Sequence, residues 1–175
     1  MYTEKNDYKN LINLCFNVCS FFSFTKYRGR LDKNDMIAHK NLLDKLKNFY
    51  IKTIFAKHWF CYYTNEKAPL EIYVFKADEE AKDIILNDSN NLFLRDNNTL
   101  NENLRKGPED ICFFIENRLF LGTVSHEEIC FAFPPSDDIY NKIMVTGDWN
   151  ISNRFYDDMK EQINLNNLEG IIKNN

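Results

Sequence analysis

The sequence predicts a single α+β domain with a mainly antiparallel central sheet covered by helices. Three closely spaced, apolar β-rich segments between residues 111 and 133 predict a meander, and two β-rich segments within residues 58–75 predict a hairpin. Elsewhere, apolar residues recur every three or four positions, which indicates amphipathic helices. At 175 residues the chain has the size of one ordinary domain. We therefore interpret residues 1–175 as one domain, with a frayed tail expected over residues 164–175.

The first third of the sequence predicts two helices separated by a short extended segment. The first helix follows Thr3, a residue suited to an N-cap, and its apolar stripe is Tyr8, Leu11, Ile12, Cys15, Phe16 and Cys19. From about Ser20 the pattern alternates, which predicts a short strand that ends near Gly29. The second helix begins near Asn34, and its apolar face is Met36, His39, Leu42, Leu43, Leu46 and Phe49.

The middle of the sequence predicts further strands and a short helix. Residues 51–55 and 59–63 are β-rich, and residues 70–75 alternate cleanly. The turn-forming residues 65–69 separate the last two runs, which predicts that these two runs form a hairpin. Residues 78–80 are acidic, and carboxylates there suit the positive end of a helix dipole, so a helix is expected to begin at this point.

The meander allows a register to be predicted. A two-residue turn at Glu116–Asn117 and a loop at residues 124–127 set the pairing of its three strands. The expected cross-strand pairs are Ile115–Arg118, Phe113–Phe120, Phe120–Phe131 and Leu121–Cys130. One face then holds Ile111, Phe113, Ile115, Phe120, Ile129, Phe131 and Phe133, and the other holds Cys112, Phe114, Leu119, Leu121, Cys130 and Ala132. Since both faces are apolar, we expect helices to cover both.

Charge is distributed unevenly along the chain, although the net charge is only −4. Residues 1–76 carry 13 Lys and Arg against 7 Asp and Glu, whereas residues 77–175 carry 9 against 19. This asymmetry predicts either two surfaces of opposite sign or two halves that attract each other in the folded chain. Basic residues with interleaved aromatics near Lys26 could contact nucleic acid, but a pI near 5.4 makes that partner unfavourable.

Cysteine usage and the apolar segments favour a cytoplasmic protein. The five cysteines, which contain no CxxC pair, are Cys15, Cys19, Cys61, Cys112 and Cys130. Free thiols of this kind are typical of a reducing compartment. The apolar run 11–24 is interrupted by Asn13 and Asn17 and is too short to span a bilayer as a helix. We therefore expect no association with a membrane.

His126 is the best catalytic candidate in a sequence that contains no phosphate-binding loop, dinucleotide fingerprint, zinc-protease motif or nucleophile elbow. Glu127 and Glu128 follow it and could orient its imidazole, which would make it a general base near neutral pH. Ser125 precedes His126, but adjacent side chains usually point apart, so the two do not form a catalytic dyad by themselves. The alternative is structural: Ser125 begins a turn and His126 hydrogen-bonds the backbone.

No metal or cofactor is expected from the remaining polar residues. Cys112 and Cys130 lie on the outer strands of the meander, roughly 9–10 Å apart, which is too far for one tetrahedral zinc ion. The acidic pairs, which could serve as ligands or bind a partner but are also typical of helix starts and strand edges, are Glu109–Asp110, Asp137–Asp138 and Asp157–Asp158. In particular, Ser136 is placed to cap a helix that begins with Asp137.

Two functional hypotheses follow, and we favour the first because no catalytic motif is present. In the first, the chain is a non-enzymatic protein-binding module whose acidic C-terminal half binds a basic protein, as an immunity or inhibitor protein binds a cationic toxin. The candidate binding residues are Asp137, Asp138, Asp157 and Asp158. In the second, the chain is a small hydrolase or transferase that uses His126 with Glu127 or Glu128. A small-ligand pocket lined by Trp59, Tyr62 and Tyr63 is a further possibility.

Overall fold

A computed structural model describes residues 5–26, 33–59, 62–63, 69–93 and 108–151 of the chain. The elements are α1 (Lys5–Val18), β1 (Phe21–Thr25), α2 (Lys33–Leu46), β2 (Tyr50–Ala56), β3 (His58–Trp59), β4 (Tyr62–Tyr63), β5 (Leu70–Lys76), α3 (Glu79–Asp88), β6 (Glu109–Ile115), β7 (Arg118–Val124), β8 (Ile129–Ala132) and α4 (Asp137–Met144). The predicted α+β class and antiparallel sheet are confirmed. No described helix combines the length and the apolar character needed to cross a membrane.

Six strands form one antiparallel sheet in the order β2–β5–β1–β6–β7–β8. The three strands from the first half of the chain lie on one side of this sheet, and the three from the second half lie on the other. The two groups meet where β1 pairs with β6, with Phe22 opposite Phe113. The strands of the first half of the sequence therefore form one half of the sheet, and those of the second half form the other.

The predicted hairpin within residues 58–75 is wrong in its pairing. β5 pairs with β2, with Ile54 opposite Ile72, and with β1, with Phe24 opposite Tyr73. Strands β3 and β4 instead form a separate two-stranded ribbon. The reason is burial: β5 has apolar side chains on both faces, so an interior position between two longer strands removes more apolar surface from water than pairing with a two-residue strand.

A β-bulge changes the predicted register of the meander. Ile115 lies opposite Arg118, as predicted, but Phe113 lies opposite Leu121. Phe120 is the extra residue, since the register shifts by one position between Phe113 and its neighbour Phe114. A one-residue bulge reverses which side chains share a face beyond it, because side chains alternate along a strand.

The bulge corrects the predicted faces of β7 and β8. Leu121 lies on the same face as Phe113, and its partner on β8 is Ala132 and not Cys130. Cys130 and Ala132 therefore face the same side as Phe113. Ile129, Phe131 and Phe133 face the opposite side, together with Cys112, Phe114 and Leu119.

All four described helices pack on one face of the sheet. They bury apolar side chains against the ring layer of Phe22, Phe24, Phe75, Phe113 and Phe120, contributing Leu11, Ile12, Cys15, Leu42, Leu46, Ala81, Ile85 and Ile143. α3 packs between α1 and α2, and α4 packs on α1. The predicted starts of α3 and α4 are confirmed, because the side chain of Asp78 accepts a hydrogen bond from the backbone N–H of Glu80 and that of Ser136 from Ile139.

The second face of the sheet is also buried, but without these helices. Its buried side chains are Ile54, Ala56, Leu70, Ile72, Val74, Cys112, Phe114, Leu119, Val124 and Phe133. Trp59 of the β3–β4 ribbon packs on this face, with its ring centroid 6.1 Å from that of Phe114. The prediction that helices cover both faces is therefore not met in the described ranges, where helices cover one face and the ribbon contributes to the other.

Candidate functional site

The candidate catalytic residues lie on a short turn that joins β7 to β8. Ser125–Glu127 form one turn of 3-10 helix, and Glu128 adopts a left-handed conformation with φ 54° before β8 begins. Glu127 and Glu128 are exposed to solvent. The structure describes the backbone of His126 but not its side chain, so its role as a general base stays a prediction.

A buried carboxylate, Asp110, holds this turn to the start of β6. Asp110 Oδ1 accepts a hydrogen bond from the backbone N–H of Ser125 at 2.7 Å, and Ser125 Oγ accepts one from the backbone N–H of Asp110 at 2.8 Å. The hydroxyl of Thr25 on β1 donates to Asp110 Oδ2 at 3.1 Å. Asp110 therefore ties together three segments that are distant in sequence, and we call this set of contacts the Asp110 clamp.

The backbone at Asp110 explains how its side chain reaches these partners. The register between β1 and β6 shifts by one residue between Ser23 and Thr25, and Asp110 has φ 49°. A bulge of this kind re-aims a side chain, and Asp tolerates the left-handed region better than most residues do. The expectation that the Glu109–Asp110 pair is a solvated strand edge is wrong for Asp110, which is only 2% exposed.

The chemistry of the clamp favours a structural role for Ser125. Ser125 is only 8% exposed, and its hydroxyl oxygen already accepts the hydrogen bond from Asp110 N–H. A nucleophile needs an accessible oxygen and a base within hydrogen-bonding distance. The contacts of Ser125 therefore agree with the structural alternative, in which Ser125 begins a turn.

The cysteines near the turn are not activated thiols. Burial raises the pKa of Cys130 to about 12 and raises that of Cys112 further above its usual range. The two thiols also project from opposite faces of the sheet, since Cys112 lies with Phe114 and Cys130 lies with Leu121. Within the described ranges no three histidine, cysteine or carboxylate side chains gather into a group able to hold a metal ion.

Trp59, one residue of the aromatic pocket considered from the sequence, is buried. Its side chain is 3% exposed and packs in the core of the second sheet face. The side chains of Tyr62 and Tyr63 are outside the described part of the structure. A cavity of about 420 Å³ lies elsewhere, between α1 and α3. Its lining includes Tyr8 and Ser89, whose hydroxyls are hydrogen-bonded at 2.5 Å.

The acidic candidates precede and follow β8, one of the two edge strands of the sheet. Glu127 and Glu128 precede it, and Asp137 and Asp138 follow it in the first turn of α4. The four residues of β8 alone span about 13 Å, so the two pairs form separate anchor points. All four side chains are exposed, and we call them the acidic edge. Asp138 Oδ2 pairs with Lys142 Nζ at 2.7 Å, whereas Asp157 and Asp158 lie outside the described residues.

The charge asymmetry of the sequence becomes in part a spatial one. Among the described residues, those up to 76 include ten basic and four acidic residues, and those from 77 onward include thirteen acidic and three basic residues. The β6–β7–β8 side with α4, residues 108–151, carries eight acidic and two basic residues. The other five acidic residues lie on α3 or at its N-cap, and α3 packs between α1 and α2. The two halves also attract directly where α2 meets α3, since Lys45 Nζ lies 3.4 Å from Asp88 Oδ1.

A second polar cluster, which sequence reasoning missed, lies on the basic side. Glu71 on β5 accepts hydrogen bonds from Lys26 Nζ and from the Tyr73 hydroxyl, each at 2.8 Å. His39 of α2 packs against Tyr73 and Phe24, with ring centroids 5.8 and 6.0 Å away. Burial and the nearby Lys26 charge lower the pKa of His39, which favours its neutral form. Only the spacing of Glu71 and Tyr73, which puts them on one strand face, was visible in the sequence.

Acid is expected to remove the contribution of Glu71 to stability. Burial raises its pKa, but the hydrogen bonds from Lys26 and Tyr73 outweigh burial, and the net pKa is lowered. The contribution is therefore complete above the unfolded-state pKa of about 4.3 and is lost as the pH falls through the lower folded-state value. Urea unfolding at about pH 7 should show Glu71→Gln less stable by about 1 kcal/mol, a difference that shrinks as the pH falls through the folded-state pKa of Glu71.

Glu80→Gln is the matched control for this titration, because Glu80 is an exposed carboxylate on α3. Its effect should stay within about 0.5 kcal/mol at every pH. A Glu71→Gln effect that persists unchanged at about pH 3 would show that the amide loses something other than the carboxylate charge.

No protein-family model, no curated protein and no solved structure matches this chain. We therefore argue its function from its own residues.

Proposed function

We propose that the chain is a non-enzymatic protein-binding module whose acidic edge engages a basic protein. The observation that carries this proposal is the excess of acidic residues on the β6–β7–β8 side, where residues 108–151 include eight acidic and two basic residues. Glu127 and Glu128 present exposed negative charge before β8, and Asp137 and Asp138 present it after β8.

Two acidic pairs at separate positions suit a folded, basic partner surface. Exposed charges contribute little to the affinity of a contact one pair at a time, but together they accelerate encounter with a partner of opposite sign. Pairs at the two ends of β8 can also select the orientation of that partner, because both must be met at once. An inhibitor or immunity protein that covers the cationic surface of a toxin is the class of protein that this arrangement fits.

The clamp beneath the turn supports the same proposal. Its polar groups hydrogen-bond one another, so the turn that carries Glu127 and Glu128 has a fixed backbone. A fixed backbone lowers the entropy lost when a surface is ordered on binding. The clamp therefore serves to hold the Glu127–Glu128 part of the acidic edge in place.

Neutralising the acidic edge is expected to slow association with a basic partner. The variant combines Glu127→Gln, Glu128→Gln, Asp137→Asn and Asp138→Asn. The control makes the same change of net charge at exposed positions on α2 and α3, through Asp44→Asn, Glu79→Gln, Glu80→Gln and Asp83→Asn. A partner is captured from extracts of the native host at low salt and purified, and association rates are measured at increasing salt. The acidic-edge variant should associate at least about tenfold more slowly, and the control much less so.

Equal slowing by both variants would show that only net charge matters, which contradicts a specific edge. Failure to capture any basic protein at low salt also contradicts the proposal. A turnover activity that His126→Ala abolishes, with the melting temperature unchanged, would instead establish the hydrolase or transferase alternative.

A further inference from the structure

Exposed large apolar side chains are concentrated on two elements that follow each other closely in the chain, α2 and β2. Five of the seven large apolar residues that are exposed among those described belong to α2 and β2, namely Met36, Ile37, Tyr50, Ile51 and Phe55. Each is between 45% and 58% exposed. Isolated exposed apolar residues are normal, but a cluster of them marks an interaction surface.

Helical geometry places one side of α2 above the outer strand β2. Lys45 pairs with Asp88, which puts α3 along one flank of α2. At about 100° per residue, Met36 lies about 180° around the helix from Lys45, and Lys40 lies within about 40° of Met36. Met36 and Lys40 therefore line the flank opposite α3, and the sheet beneath that flank is the β2 side.

The floor of this region consists of side chains on the helix-covered face of β2 and β5. Ile54 and Ala56 face the other side of the sheet, so Thr53 and Phe55 face the helices. Phe55 lies opposite Glu71, and Thr53 lies opposite Tyr73. Helix geometry and strand register together define a groove with Met36 and Lys40 as its wall, Thr53, Phe55 and Tyr73 as its floor, and the Lys26–Glu71 pair at one end. We call it the α2–β2 groove.

The groove is bordered by positive charge. Lys40 lies on its wall, and Lys47 and Lys57 are exposed just before and just after β2. None of these three lysines has an ion-pair partner among the described residues. The neighbouring carboxylates are Asp44, which is exposed on α2, and Glu71, which Lys26 already contacts.

We propose that the α2–β2 groove binds an acidic amphipathic helix of a partner protein. The apolar floor would take the apolar stripe of such a helix, and the lysines would meet its carboxylates. The seven residues of β2 span about 23 Å, the length of about 16 residues of α-helix. This proposal does not depend on the acidic edge, which lies beside β8, at the opposite edge of the sheet from β2.

The test selects binders without assuming their sequence. A random library of peptides of about 16 residues, displayed on phage, is selected on the full-length chain, and enriched peptides are synthesised for anisotropy titrations. Met36→Gln with Phe55→Thr removes the apolar contacts, and Lys40→Glu reverses the charge of the wall. Val145→Thr and Lys9→Glu are matched controls, because they alter an exposed apolar residue at the C-cap of α4 and an exposed lysine on α1.

The expected binders carry net negative charge and apolar residues spaced three or four positions apart. Both groove variants should weaken their binding by at least about tenfold, while the matched controls and the acidic-edge variant leave it unchanged. Enriched peptides without an acidic bias, or binding that the groove variants leave intact, would overturn the proposal. So would sedimentation of the chain as a dimer that the groove variants dissociate, since a second copy would then be the occupant. Tighter binding of a single-stranded oligonucleotide at the same residues would identify a different partner class.

Discussion

Replacing Phe22 with alanine is expected to lower the free energy of unfolding by about 3–5 kcal/mol. Phe22 is fully buried on β1, an interior strand of the sheet. Its ring lies 5.2 Å from those of Phe16 and Phe75 and 6.0 Å from that of Phe113. These neighbours come from a helix and two other strands, so they cannot all move inward, and the cavity left by the ring stays open.

Urea unfolding at neutral pH measures this loss. Phe22→Leu keeps most of the volume and should cost about 1 kcal/mol. Phe55→Leu is the matched control, because Phe55 is 47% exposed on the outer strand and should cost less than about 0.5 kcal/mol. A Phe22→Ala variant that loses less than about 1.5 kcal/mol would mean that the rings repack, and the layer of stacked phenylalanines would not be the rigid centre of the fold.

Features of the fold that depend on local sequence could be predicted. The apolar stripe of α1 is buried throughout, from Tyr8 to Cys19, because a helix fixes which residues share a face without reference to the rest of the chain. The caps Asp78 and Ser136 were predictable for the same reason, since each needs only its own side chain and a backbone N–H two or three residues later. The α+β class followed from these local patterns.

Strand partners could not be predicted in the same way. The run 70–75 can pair with any β-rich neighbour, and the choice of β2 and β1 depends on the total area buried by the whole sheet. The bulge at Phe120 was hidden because residues 111–115 and 119–121 are apolar on both faces, so a shift of one residue exposes no polar group. Cys130 was assigned to the wrong face as a consequence.

The candidate site was predicted only in part. The turn at Ser125–Glu127 and the exposure of Glu127 and Glu128 follow from the break in the apolar pattern. The link from Ser125 to Asp110 spans 15 residues and depends on the bulge where β1 pairs with β6. No local sequence pattern indicates that bulge. The α2–β2 groove was missed because the sequence places Met36 on the buried face of its helix, whereas its side chain is 58% exposed beside the outer strand.

Replacing Asp110 with alanine is expected to lower the free energy of unfolding by about 3–5 kcal/mol, because two buried donors lose their acceptor. The backbone N–H of Ser125 and the hydroxyl of Thr25 would both be left without the carboxylate. Alanine also tolerates the left-handed backbone at this position less well than aspartate does. Asp110→Asn keeps one acceptor oxygen and should lose only about 1–2 kcal/mol.

A double-mutant cycle separates the clamp from other effects of these changes. Ser125→Ala removes the acceptor for the backbone N–H of Asp110 and should cost about 1–2 kcal/mol by itself. Because the two residues hydrogen-bond each other reciprocally, Asp110→Ala with Ser125→Ala should cost less than the sum of the single changes. An Asp110→Ala variant that is as stable as the parent, or more stable, would contradict a structural role. Proteins retain buried carboxylates that lower stability mainly at functional sites. Such a result would therefore indicate that Asp110 itself, and not the acidic edge, is the functional site.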